Sequence, residues 1–127
     1  MLRKHLYAFL LLLLGLSAMA QNESVVTLKA RLERAKDPAE AIRLLGILTD
    51  SIQKSDIQAL RPLEQQARRL AEGNLPDALK ASACLIVGKA LAQLVSYDSA
   101  ALFLDRSLAL LDPVKQAAET AEAHHWK

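Results

Sequence analysis

The chain has 127 residues, 16 Lys+Arg against 14 Asp+Glu, and 4% aromatic residues. That length gives one domain with a modest core, and the near-balance of charge leaves no basic stretch that would argue for nucleic acid or anionic lipid. One cysteine, Cys84, excludes an intrachain disulfide, so the core must hold without covalent staples.

The first residues read as a secretory leader. Arg3 and Lys4 form a basic start, Leu6 to Leu16 an apolar core, and Ser17-Ala18-Met19-Ala20 a small-x-small ending, with cleavage expected after Ala20. The apolar run is shorter than the roughly 20 residues a spanning helix needs, and no lipoprotein cysteine follows it. Removing residues 1–20 leaves 107 residues with 14 basic and 14 acidic side chains, formally neutral, whose only aromatics are Tyr97, Phe103 and Trp126. Aliphatic side chains and alanines must do the packing.

From Asn22 onward the apolar residues recur at helical spacing. Val25, Leu28, Leu32 and Ala35 make a first amphipathic helix after Ser24, ending near Lys36. Asp37-Pro38-Ala39-Glu40 restarts the chain, with Asp37 as cap, Pro38 in the first turn and Glu40 completing a capping box. The second helix then carries Ile42, Leu45, Leu48 and Ile52 on one face. Ser55-Asp56 breaks it, and a third helix carries Ile57, Leu60, Leu63, Ala67 and Leu70. Pro62 requires that helix either to kink or to begin late, near Arg61. Gly73 caps it within the turn Glu72 to Pro76. A fourth helix from about Pro76 to Val95 buries Leu79, Ala83, Val87, Ala90 or Leu91, and Leu94; a fifth follows with Ala100, Ala101, Leu104, Leu108 and Leu111. Asp112-Pro113 repeats the restart signal, and a sixth helix passes through Ala117, Ala118, Ala121 and Glu122 to Trp126. No period-2 alternation lasts beyond a few positions, so the fold class is all-α.

Two stretches echo each other. Ile42 to Gly46 returns as Cys84 to Gly88, with the glycines 42 residues apart. Glycine inside a helix costs about 1 kcal/mol relative to alanine, so each is expected to mark a close helix–helix contact. Repetition at this period is the mark of stacked helical units.

The segment from Ser82 to Leu111 resembles one tetratricopeptide repeat. Val87-Gly88 falls at the family's leucine-glycine position, Tyr97-Asp98-Ser99-Ala100 at its turn and helix B alanine, and Asp112-Pro113 near its terminal proline. Ser107 stands where alanine is usual, Cys84 where Trp or Leu is usual, and Leu91 where Tyr is common. The earlier unit, Ala41 to Ala71, keeps Gly46 and Ala59 and otherwise matches by apolar spacing. The resemblance implies antiparallel helix-turn-helix pairs stacked as a short solenoid: a leader over 1–20, then a domain over 21–127 with units about 38–72 and 76–111 and an incomplete unit from 112.

It also implies an exported scaffold that binds a protein or peptide partner in a broad groove of first-helix side chains. Helix phase places Arg43, Lys89 and Gln93 along that groove. The alternative it implies is the extracytoplasmic sensor segment of a larger membrane-bound signalling protein, a histidine kinase or transcriptional regulator, and a third is an envelope structural protein without a dedicated ligand. Secreted or periplasmic placement follows from the leader.

No catalytic constellation is expected. Cys84 sits among Val87 and Leu91 with no neighbouring cation in sequence, which reads as a small core residue. His124 and His125 are adjacent, so on a helix they point about 100° apart and grip no common ion. Arg31, Arg34, Arg68 and Arg69 each lie near a glutamate and read as solvated helix faces. Nucleophile elbows, phosphate loops and HExxH helices are absent from the sequence. The expectation is a protein that is not itself an enzyme, with no cofactor, metal or nucleic-acid partner.

Overall fold

The first two described helices each begin on a side-chain cap that the sequence offers. A computed structural model describes residues 24–52 and 54–127, and the leader expected over residues 1–20 lies outside them. Ser24 opens α1 (Val25–Arg34), its hydroxyl accepting from the Thr27 amide at 3.2 Å, and α1 buries Leu28 and Leu32. Asp37 opens α2 (Pro38–Ser51) by accepting from the Ala39 amide at 3.2 Å, with Pro38 in the first turn. Glu40 does not close the expected capping box. Its carboxylate goes to Arg43 at 2.7 Å and Arg31 at 3.2 Å, charge-assisted partners that outcompete a neutral backbone amide.

Pro62 is accommodated by a late start. A 3₁₀ stretch over Lys54–Ala59 is broken at Asp56, and α3 (Leu60–Glu72) begins only two residues before the proline. In the first turn a backbone N–H has no acceptor within the helix, so its loss costs nothing there. Gly73 ends α3 with extended backbone, donating its N–H to the Leu70 carbonyl at 3.2 Å.

Two further helices form an antiparallel hairpin, α4 (Asp77–Gln93) and α5 (Tyr97–Leu110). Its turn is a Schellman arrangement: the Val95 amide donates to the Ala92 carbonyl at 3.2 Å and the Ser96 amide to Leu91 at 2.9 Å. The pivot residue is Val95, with φ of 66°. Left-handed backbone costs an L-residue about 1–2 kcal/mol, and the exposed valine recovers little of it by packing. Asp112 next closes a turn, accepting from the Val114 and Lys115 amides at 3.0 and 3.2 Å. The restart signal at Asp112-Pro113 thus caps one turn, with the Gln116 amide donating to the Asp112 carbonyl at 2.8 Å, and α6 (Ala117–Trp126) follows directly.

The described residues contain helices and no strand, an all-α fold. No described helix is long and apolar enough to cross a membrane. α4 lies at the centre: it touches α2, α3, α5 and α6, and every residue from Ala83 to Leu91 is buried. A helix covered on all sides needs apolar residues on all sides, which its sequence supplies. The sixth helix is different. Ala117, Ala118 and Ala121 are exposed, and it attaches through buried Ala123 and half-buried Trp126 to a small cluster with Ala81, Leu85 and Leu111.

The echoed glycines separate here. A Cβ on Gly88 would stand 2.6 Å from both Cγ and Cδ2 of Leu104. One on Gly46 would meet only Ile86 Cδ1, at an ordinary 3.8 Å. Gly88 thus lets α5 close on α4, as expected, whereas Gly46 does not mark a close contact because a side chain there would meet its neighbour only at ordinary van der Waals distance. Beside the Gly88 contact, the Ser107 hydroxyl donates to the Ala81 carbonyl at 2.8 Å across the same seam. Leu104 is fully enclosed and has no room to withdraw. Gly88→Ala is accordingly expected to lower unfolding free energy by about 1–3 kcal/mol in urea titrations. Gly46→Ala should be neutral or stabilising by up to about 1 kcal/mol; the reverse ranking would contradict this packing.

Candidate functional site

A groove of about 300 Å³ runs across α2, α4 and α6. Its walls come from three separate helices because α4 contacts both α2 and α6. Buried Ile42, Leu85 and Ile86 supply apolar lining, and Ile47 adds an exposed apolar side chain. Gly46 lines the same groove. The missing side chain leaves space there rather than bringing two helices together.

Polar groups meet along this groove. Lys89 emerges from the all-apolar run of α4 with its side chain only 7% exposed. Its ammonium donates to Asp50 Oδ1 of α2 at 2.7 Å and to Glu122 of α6. One cation therefore ties three helices. Three carboxylate-bearing residues, Asp50, Glu119 and Glu122, line the groove with it. Glu119 is held in turn by the Ser82 hydroxyl and the Gln116 amide, each donating at 2.9 Å.

Burial alone would lower the lysine's pKa. The hydrogen bonds and charges of Asp50 and Glu122 outweigh that penalty, and Lys89 sits above the ordinary lysine value. Outside the groove lining, Glu40 is held below the usual carboxylate range, chiefly by its hydrogen bonds from Arg43 and with help from Arg31.

Of the three side chains placed in the groove by helix phase, Arg43 and Lys89 line it. Arg43 is exposed and bonded to Glu40; Lys89 is turned inward and engaged by carboxylates. Gln93 is partly exposed at the end of α4, outside the groove lining. Sequence reasoning missed Asp50, Ser82, Glu119 and Glu122. One signal was present: Lys89 stands inside an unbroken apolar run, so a buried ammonium there requires acidic partners from other helices.

Cys84 is buried, and desolvation raises its thiol pKa despite the charges of Arg106 and of Lys80, which stands one helical turn earlier on α4 and corrects the reading that no cation neighbours Cys84 in sequence. His124 and His125 are both exposed, and among the described residues no three His, Cys, Asp or Glu side chains gather as a metal site. No family model matches this chain, and no curated protein or solved structure matches it.

The raised lysine pKa has a sign. A lysine whose folded value exceeds 10.5 contributes stability that is complete below 10.5 and is lost as pH climbs through the raised value. The stability difference between the native chain and Lys89→Met should therefore shrink as pH rises above 10.5, followed by urea unfolding at each pH. A difference that stays constant across that range would remove the ion-pair role of Lys89.

Proposed function

We propose that this chain is an exported scaffold, similar to tetratricopeptide-repeat proteins, that holds a protein or peptide segment in the groove across α2, α4 and α6. The groove itself carries the reading. It joins apolar lining, an exposed Ile47 and a fixed set of charges over three helices. Such a surface suits an extended segment, because affinity is spread over several side-chain contacts instead of one deep pocket. The alternation of contacts, α2 on α4 and α4 on α6, agrees with first helices of successive units lying side by side. The leader-like first 20 residues support export.

The reading contains no catalytic step. Arg43 and Ile47 offer contacts at the outer wall, while Lys89 keeps α2, α4 and α6 in register and so keeps the groove in shape.

Gly46 provides the test. Only Ile86 Cδ1 approaches a Cβ placed there, so a larger side chain fills the groove without entering the core. A photo-crosslinking residue replacing Ile47 should give a discrete adduct in the producing cells. Adding Gly46→Leu should reduce its yield about tenfold or more at unchanged melting temperature. The same crosslinker replacing exposed Leu102 on α5 should give no such adduct. Equal adducts from both positions, or no effect of Gly46→Leu, would overturn the groove as the binding surface.

A further inference from the structure

A second concavity lies on the other side of α4. It measures about 490 Å³ and is walled by the end of α3, the first half of α4 and the second half of α5. At about 100° per residue, Lys80 and Cys84 face nearly opposite to Ser82, Leu85, Ile86 and Lys89, which line the first groove. The two surfaces share no lining residue.

Its floor is apolar: Ala71, Cys84 and Phe103 are all buried. Above the floor stand two cations, Lys80 of α4 and Arg106 of α5. The Ser107–Ala81 hydrogen bond sets these helices side by side, and Lys80 and Arg106 are the residues immediately before that bonded pair. Several cations elsewhere in the fold meet carboxylates: Arg31 and Arg43 pair with Glu40, Arg68 with Glu64, Lys89 with Asp50 and Glu122, and Lys127 with Asp105. Among the described residues, no carboxylate pairs with Lys80 or Arg106. The Arg106 guanidinium instead lies 5.1 Å from the Phe103 ring centroid, which orients it over the floor before any ligand arrives. Arg68 covers the same ring at 5.3 Å.

We propose that this cleft binds a small organic monoanion, a carboxylate carried on a hydrocarbon or aryl body. The carboxylate is taken by Lys80 and Arg106, and the body lies on Phe103, Cys84 and Ala71. A volume near 490 Å³ falls within the range of small-molecule sites. Glu72 and Asp77 also line the cleft, toward the α3–α4 turn, and their charge disfavours ligands bearing a second negative group. The site stands independently of the segment-binding groove.

Octanoate and phenylacetate are suitable probes, added separately to ¹⁵N-labelled full chain. Either should produce saturable amide shifts centred on Lys80, Cys84, Phe103 and Arg106, with Kd below about 1 mM. Octanol, which lacks the charge, should bind at least about tenfold more weakly than octanoate. Lys80→Gln should weaken carboxylate binding about tenfold or more, while Arg43→Gln in the other groove should leave it unchanged. Because Arg106 also stacks on Phe103, Lys80→Gln is the cleaner of the two cation variants. Absent or non-saturating shifts, shifts centred on Ile47 and Lys89, or a Kd indifferent to Lys80→Gln would each overturn the assignment.

Discussion

The bare backbone of Gly88 receives the side chain of Leu104, and this contact sets how closely α5 lies on α4. The Ser107 hydroxyl fixes the same seam through the Ala81 carbonyl. With α5 seated so near, one flank of α4 is closed; α2, α3 and α6 cover the others. Nine consecutive residues, Ala83 to Leu91, disappear from solvent as a result. Of these only Lys89 carries a charge, and it survives burial because two helices each bring it a carboxylate. Close packing on one side of α4 and ionic tethering on the other are consequences of a single helix being enclosed all round.

Enclosure gives the two faces of α4 different work. Toward α2 and α6, Lys89 is consumed by internal partners, and the remaining surface offers Ile47, Arg43 and the space left by Gly46. Toward α3 and α5, nine residues earlier in the chain, Lys80 pairs with no carboxylate among the described residues and stands beside Arg106 over an aromatic floor. The first lysine holds helices together. The second has charge to spare for a ligand.

Much of the helix order was legible in the residues. Ser24 and Asp37 cap where their side chains require, and Pro62 forces the late start of α3 that its missing N–H demands. Gly88 was readable as a contact because glycine inside a helix needs a reason. Gly46 looks the same in sequence yet faces the groove, and only the position of Ile86 tells the two apart. Glu40 illustrates the same limit: local spacing favours a capping box, but Arg31 from another helix and Arg43 take its carboxylate. The groove was half legible. Helix phase found Arg43 and Lys89, whereas Asp50, Glu119 and Glu122 come together only through tertiary packing. The cleft over Phe103 was not legible, since Lys80 and Arg106 are distant in sequence and meet only at the α4–α5 seam.

Enclosure by four neighbours makes α4 the helix whose exposure requires the whole fold to open. Native-state hydrogen exchange, resolved by residue in low urea, tests that directly. Amides from Cys84 to Leu91 should exchange last, with an opening free energy equal to that of global unfolding. Those of α6, anchored by one buried alanine, a half-buried tryptophan and two polar contacts, should open at lower energy. If the α4 amides exchanged as readily as those of α6, α4 would not be the enclosed axis on which both binding surfaces depend.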